Sequence, residues 1–203
     1  MPRGGVIVME YNPNPSKANL RRIALIGLWA LLGGFLNMVA SFSNMAIGSP
    51  LFMDSIATAL VGALFGPWAG MLCAFFSHFF MELVRGFNGD YMPFVVCNMA
   101  TGLIVGLFAR QGKLLYIAFA VLCAILVTLA NAILGTTVAI FFFGGITGHA
   151  SDFLVTGFLA AGGSLVSAAF WARVPVNLVD KGLAVAIAVL ALRLKARRVL
   201  PAG

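Results

Sequence analysis

Residues Met81–Asn98, MELVRGFNGDYMPFVVCN, interrupt two long apolar runs with a cluster of polar side chains. Membrane proteins keep such costly groups chiefly where they face water, one another or a ligand. We therefore predict that this stretch forms a loop that closes over a small solute. Its candidate binding residues are Glu82, Arg85, Asn88, Asp90 and Asn98.

The composition around this stretch is typical of a helical membrane protein. Of the 203 residues, 62% are apolar and 9% are charged, and the mean hydropathy is +1.03. We predict an all-α, polytopic membrane protein with a six-transmembrane-helix bundle and an extra apolar re-entrant or interfacial segment, Phe153–Trp171, before the last helix. The six predicted spans are Leu20–Phe42, Leu51–Gly66, Trp68–Val84, Pro93–Phe108, Leu114–Phe143 and Val176–Leu194.

The placement of the basic residues favours six spans over seven. If Phe153–Trp171 crossed the membrane, the basic cluster at the C-terminus would lie outside. With six spans, only three basic residues (Arg85, Arg173 and Lys181) lie opposite the cytoplasm, as the positive-inside rule expects. We therefore predict a multi-pass protein of the cell inner (plasma) membrane with both termini cytoplasmic. The predicted parts are a cytoplasmic N-terminal segment (residues 1–19), a single integral-membrane substrate-binding domain (20–195) and a basic cytoplasmic tail (196–203). The net charge of +7 then reflects topology, and no nucleic-acid partner is expected.

Further polar residues are predicted on the same side as the Met81–Asn98 loop. His149 lies in the loop Gly144–Asp152, and Asn177 and Lys181 are four apart on one helix face. His78, Glu82 and Arg85 also share a face, which indicates either an internally satisfied polar ladder or a solute contact.

Small residues mark one face of the first span: Ala24, Gly27, Ala30 and Gly34. Small residues let a second helix approach closely. This face therefore either packs inside its own bundle or docks on a separate membrane subunit.

Familiar catalytic motifs are absent. The sequence has no P-loop, HExxH or GxSxG pattern, and a lone His with one carboxylate is a thin ligand set for a metal. We predict no enzyme activity, no cofactor and no metal site, and expect a binding protein that takes its energy from elsewhere.

Three stretches carry a resemblance to a known family: the hairpin MDSIATALVGALFGPWAGMLCAFFSHFF, the helix PFVVCNMATGLIVGLFAR after the polar loop, and the ending VPVNLVDKGLAVAIAVLALRLKAR. In this order they resemble the substrate-binding S components of energy-coupling factor (ECF) vitamin transporters. The resemblance implies cytoplasmic termini, an outer pocket for a vitamin or similar micronutrient, and docking on a transmembrane coupling subunit with two ATPases. The family's first helix often carries an Ala-x-x-x-Ala docking motif. Here the fourth residue after Ala24 is Leu28 rather than alanine, so the motif is not matched there. Ala30 and Gly34 supply a looser version, with small residues at the same spacing.

The sequence leaves the ligand's charge open. Arg85 and Lys181 would hold a carboxylate or phosphate, whereas Glu82, Asp90 and Asp180 would pair with a cation. Phe87, Tyr91 and Phe94 would stack on an aromatic ring. The alternative function is a stand-alone proton-coupled secondary transporter of a small solute, which would use Glu82, His78 or Asp180. An intramembrane enzyme built on His78 and Glu82 ranks last.

Overall fold

The computed structural model describes residues 17–199. The predictions for residues 1–16 and 200–203 lie outside the described residues. All regular structure in the described part is helical, which confirms the predicted all-α class. The helices are α1 (Lys17–Ala46), α2 (Ile56–Phe65), α3 (Pro67–Val84), α4 (Val95–Arg110), α5 (Ile117–Phe143), α6 (Asp152–Ala160) and α7 (Leu165–Val199).

Five helices of the described part are long and apolar enough to cross a membrane: α1, α3, α4 with its preceding 3-10 turn, α5 and α7. The protein is therefore a polytopic helical membrane protein. Helix α2 has ten residues, about 15 Å of helix, which is half of a bilayer core. The predicted second span, Leu51–Gly66, is thus helical only from Ile56 onward.

The start of the last span differs from the prediction. Within Phe153–Trp171, α6 ends at Ala160 and the chain turns at Gly162, whose φ is +88°. Helix α7 then begins at Leu165, eleven residues before the predicted Val176. It continues through Pro175, an exposed residue that lacks the N–H for a helical hydrogen bond.

Glycines bring α2, α3 and α4 into backbone contact. A Cβ on Gly102 would lie 2.5 Å from the carbonyl carbon of Gly70, and one on Gly62 would lie 2.8 Å from the Gly102 carbonyl oxygen. No side chain fits these gaps. This close packing is how membrane helices associate where apolar burial supplies no net drive.

Buried amides tie the bundle together laterally. Asn37 on α1 donates to Thr58 Oγ1 (3.0 Å) and Ser77 Oγ (2.9 Å), and its carbonyl accepts the Ala57 N–H. Asn131 on α5 donates to Thr101 Oγ1 on α4 at 2.9 Å. These bonds join α1, α2 and α3 on one side and α4 and α5 on the other.

The helices alternate in direction, so the loops 47–55, 85–91 and 144–151 gather at one end of the bundle, here called the cavity end. The opposite end holds the turn at Gly66 and the connection 111–116. Arg193 of α7 donates to the Leu115 carbonyl there at 3.2 Å.

Candidate ligand-binding site

A cavity of about 280 Å³ lies at the cavity end, between the three loops and the helices. Its wall combines charged, polar and aromatic side chains. Such a concave surface with a few convergent polar groups is the usual form of a small-molecule site. The residues that line it are Ser41, Met45, Phe52, Asp54, His78, Met81, Arg85, Asp90, Tyr91, Phe94, Cys97, Asn131, Gly135, Thr147, Gly148, His149, Arg173, Asn177 and Lys181.

Lys181 lies at the base of the cavity in a saturated cluster. Its ammonium donates to Asp180 Oδ2 at 2.7 Å, Asp54 Oδ1 at 2.8 Å and Ser55 Oγ at 2.8 Å. An ammonium has three N–H donors, so this lysine has none left for a ligand. Asp180 therefore pairs with its sequence neighbour.

The loop before α2 is held down by the same cluster. Asp180 Oδ1 accepts the backbone N–H of Met53 at 2.9 Å, and Met53 has the uncommon φ of +54°. Asp180 and Lys181 of α7 thereby position Asp54 just before α2. The local strain is compensated by a tertiary contact between residues 127 apart in sequence.

Asp54 is ionised in this setting. Burial acts to raise the pKa of Asp54, but the charges of Lys181 and His78 and the hydrogen bond from Lys181 lower it below its ordinary value. His78 Nε2 lies 3.9 Å from Asp54 Oδ2, and its Nδ1 lies 3.2 Å from the Ala74 carbonyl. The base of the cavity thus combines a carboxylate, an imidazole and an ammonium.

Arg173 projects from α7 two turns above Lys181. It is only 5% exposed, and its Nη1 donates to the Ala169 carbonyl at 2.9 Å. Gly135 of α5 lies beside it, since a Cβ there would be in ordinary van der Waals contact with Arg173 Cδ at 3.4 Å. Both residues line the cavity.

An aromatic pair crosses the cavity between two loops. The rings of Phe52 and His149 have centroids 4.8 Å apart and an interplanar angle of 31°. His149 Nδ1 lies 3.0 Å from Ser151 Oγ. Burial lowers the pKa of His149 below its ordinary value, against a smaller opposing effect of Asp152, so the imidazole is neutral at pH 7.

Asp152 and Glu82 organise the loops of the cavity end. Asp152 accepts the backbone N–H groups of Thr147 and Gly148, each at 2.7 Å. Glu82 accepts those of Tyr91 and Met92, each at 2.8 Å, and that of Gly89. Carboxylates that gather backbone donors in this way fix the course of a loop.

The predicted binding residues fall into two groups. Arg85, Asp90, His149, Asn177 and Lys181 line the cavity. Glu82, Asn88 and Asn98 do not, and each has a partner elsewhere: Glu82 the loop amides, Asn88 the Asp90 carboxylate, and Asn98 the Asp54 carbonyl at 2.6 Å. Within the ladder His78–Glu82–Arg85, the first and last members face the cavity and the middle one serves the loop.

Asp54 and Arg173 line the cavity, although neither was among the predicted binding residues. A sequence signal existed for Arg173, because Arg173, Asn177 and Lys181 are spaced by four and so share one helix face. Starting the last span at Val176 hid it. Nothing in the local pattern around Asp54 indicates that it reaches Lys181.

The four small residues of α1 also separate. Ala30 and Gly34 are buried, and a Cβ on Gly34 would lie 2.6 Å from Phe76 Cβ on α3. Ala30 and Gly34 therefore pack inside the bundle, which is the first of the two predicted roles for this face. Ala24 is exposed, and a Cβ on Gly27 would meet nothing within 4 Å.

Among residues 17–199, no three His, Cys, Asp or Glu side chains come together as a potential metal site. In comparison with known proteins, the sequence model of a family described as "ECF transporter, substrate-specific component" matches residues 21–192. No curated protein and no solved structure matches the chain.

Proposed function

The chain belongs to the family of substrate-specific components of ECF transporters, and from that membership we propose that it captures a vitamin or related micronutrient in the cavity and passes it to an ATP-driven import complex. As a substrate-binding subunit it is part of a transporter and not an enzyme. The partners in this proposal are a transmembrane coupling subunit and two ATPase subunits.

The observation that carries the proposal is the cavity itself. Its volume of about 280 Å³ is near the lower end for small-molecule sites. Ionised Asp54, buried Arg173 and the Phe52–His149 pair offer charge and a flat surface to one small ligand. Ionisable groups at such positions in a membrane protein are rare and commonly mark a substrate site.

The distribution of basic residues supports an outward-facing cavity end. Arg110, Lys113, Arg193, Lys195 and Arg197 lie at the opposite end of the bundle. Such residues favour the cytoplasm. In the proposed orientation the cavity receives its ligand from outside the cell, and both termini are cytoplasmic.

The exposed part of the α1 small-residue face, around Ala24 and Gly27, is the proposed contact with the coupling subunit. Ala24 is exposed, and the space above Gly27 is open. A partner helix can therefore approach the α1 backbone closely there. Ala30 and Gly34, which pack on α3, contribute to this contact only by holding α1 in place.

Recovery of a bound small molecule tests the binding step. The protein is purified from expressing membranes in a mild detergent, and solvent-released compounds are identified by mass spectrometry. We expect one compound at near-stoichiometric amount, lost in the cavity-filling variant Ser41→Phe and kept in Ser43→Phe, whose position is exposed outside the cavity. A wild-type protein without a bound compound, and without thermal stabilisation by any vitamin tried, contradicts the proposal.

Reconstitution tests the energy source. Uptake into proteoliposomes is expected only when an ECF coupling subunit and its ATPases are present with ATP, and a protonophore should not abolish it. Uptake by the chain alone that collapses with a protonophore would indicate the proton-coupled secondary transporter instead.

A further inference from the structure

Arg173 is a buried cation whose hydrogen-bonding capacity is largely unused. A guanidinium has five N–H donors, and the described structure gives this one a single acceptor, the Ala169 carbonyl of its own helix. No carboxylate of the described residues lies within 4.0 Å of it in an ion pair. Burial of a charge without an ion-pair partner is unfavourable, and because Arg173 lines the cavity its remaining N–H groups are placed to donate to a bound ligand.

The carboxylates around Arg173 are committed to other groups. Asp152 interacts with it electrostatically, but the Asp152 oxygens accept the amides of Thr147 and Gly148 and lie near the Thr147 hydroxyl. Asp54 and Asp180 both bond to Lys181. The guanidinium therefore retains an available positive charge on the cavity wall.

The base of the cavity has the opposite character. Lys181 contributes one positive charge, and Asp54 and Asp180 contribute two negative charges, so the cluster carries a net charge of −1. An anionic group is repelled there and attracted at Arg173. A hydrogen-bond donor, in contrast, is favoured beside Asp54 and His78. The cavity is thus polarised along α7.

The aromatic side chains that line the cavity favour a ligand with a planar ring. The rings of Phe52 and His149 are tilted by 31° with centroids 4.8 Å apart, and Tyr91 and Phe94 also line the cavity. Aromatic side chains bind planar groups by offset stacking or edge contacts. A volume of about 280 Å³ is suited to a compact molecule of one or two rings.

From these observations, and resting on the proposed function, we propose that the substrate is a small planar organic anion. Its carboxylate or other anionic group binds Arg173, and its opposite, donor-bearing edge faces Asp54. Arg173 is then the residue that selects for the anion. Lys181 is a positioning residue, since its donors are already used by the protein.

Matched acid and amide probes test the charge selection directly. Benzoate and benzamide, nicotinate and nicotinamide, and 4-aminobenzoate and 4-aminobenzamide differ within each pair only in the anionic group. Binding to the full chain in nanodiscs is measured by calorimetry for wild type, Arg173→Gln and Arg173→Lys. Arg110→Gln is the control, because Arg110 is an exposed arginine at the far end of α4.

The expected result is an acid preference of about tenfold or more in wild type for at least one pair. Arg173→Gln should abolish that preference, Arg173→Lys should keep part of it, and Arg110→Gln should keep all of it. The unfolding temperature of ligand-free Arg173→Gln should equal or exceed that of wild type, because the substitution removes an unpaired buried charge. A purely structural role predicts the reverse, a lower unfolding temperature.

Several results would overturn the inference. They are no acid preference in any pair, an acid preference unchanged in Arg173→Gln, or a compound recovered from the wild-type protein that is uncharged or cationic. The last result refutes the anion assignment but leaves the proposed binding function intact. A wild-type protein that takes up neither a cellular compound nor a vitamin fails the proposed function itself.

Discussion

Replacing Lys181 by Met should destabilise the protein severely. Lys181 is 1% exposed and Asp180 is 0% exposed, and the ammonium joins two carboxylates and one hydroxyl at 2.7 to 2.8 Å. Removing one partner of a buried ion pair costs about 3–5 kcal/mol, because the remaining charge is left uncompensated. Here two carboxylates remain, so we expect a loss of at least about 3 kcal/mol.

The assay is reversible unfolding by SDS in mixed micelles, with Lys195→Met as the matched control because Lys195 is exposed. The Lys181→Met deficit should shrink as the pH is lowered, since proton uptake by a carboxylate neutralises the excess negative charge. Adding Asp180→Asn to Lys181→Met should recover part of the loss at pH 7, because it removes one uncompensated negative charge. The amide oxygen of the new side chain can still accept the Met53 N–H.

If Lys181→Met costs no more than Lys195→Met, the ammonium does not stabilise the two carboxylates. A deficit that does not depend on pH would indicate a packing defect alone and would equally contradict the prediction.

Three further predictions follow from single contacts. Glu82→Gln should lower the free energy of unfolding by about 1.5–3 kcal/mol, because a charged acceptor of several amides becomes neutral. Hydrogen exchange at the Tyr91 and Met92 amides should quicken. Unchanged exchange would contradict the loop-fixing role. Gly102→Ala should lower the free energy of unfolding by about 1–3 kcal/mol, because the added Cβ pushes α4 away from α3. Gly182 has open space around it, so Gly182→Ala should instead stabilise the protein by about 0.5–1 kcal/mol. Equal effects of the two variants on the unfolding temperature would refute the backbone contact. Because the pKa of His149 is lowered in the folded state, the unfolded chain binds its proton first as pH falls below about 6.5. The unfolding temperature should therefore drop between pH 7.5 and 5.5, and less so in His149→Gln.

Much of the candidate site could be predicted from helical spacing. Asn177 and Lys181 share a face of α7, and both line the cavity. Arg85 and His149 lie at the same end, as the charge topology indicates. Such placements follow from sequence because the period of a helix and the bilayer's exclusion of charge are properties of short stretches, whereas binding by these residues stays a prediction.

The boundary of α7 could not be predicted in the same way. Pro175 and the polar residues around it suggest a helix start, and the structure instead continues the helix back to Leu165. Packing of α7 on α5 and α6 outweighs the lost backbone bond at the proline. That extension carries Arg173 onto the cavity wall, where the sequence prediction had left it outside the site.

Local sequence is enough to establish the class of the protein: an apolar helical bundle whose polar groups gather at one end and whose basic residues gather at the other. The partners of the buried polar groups depend on the folded arrangement. Glu82 turns to the loop amides, Asp54 reaches Lys181 across 127 positions of chain, and Arg173 forms no ion pair with a carboxylate of residues 17–199. Hydrophobicity and helical period act locally, whereas the pairing of buried charges depends on which helices pack side by side.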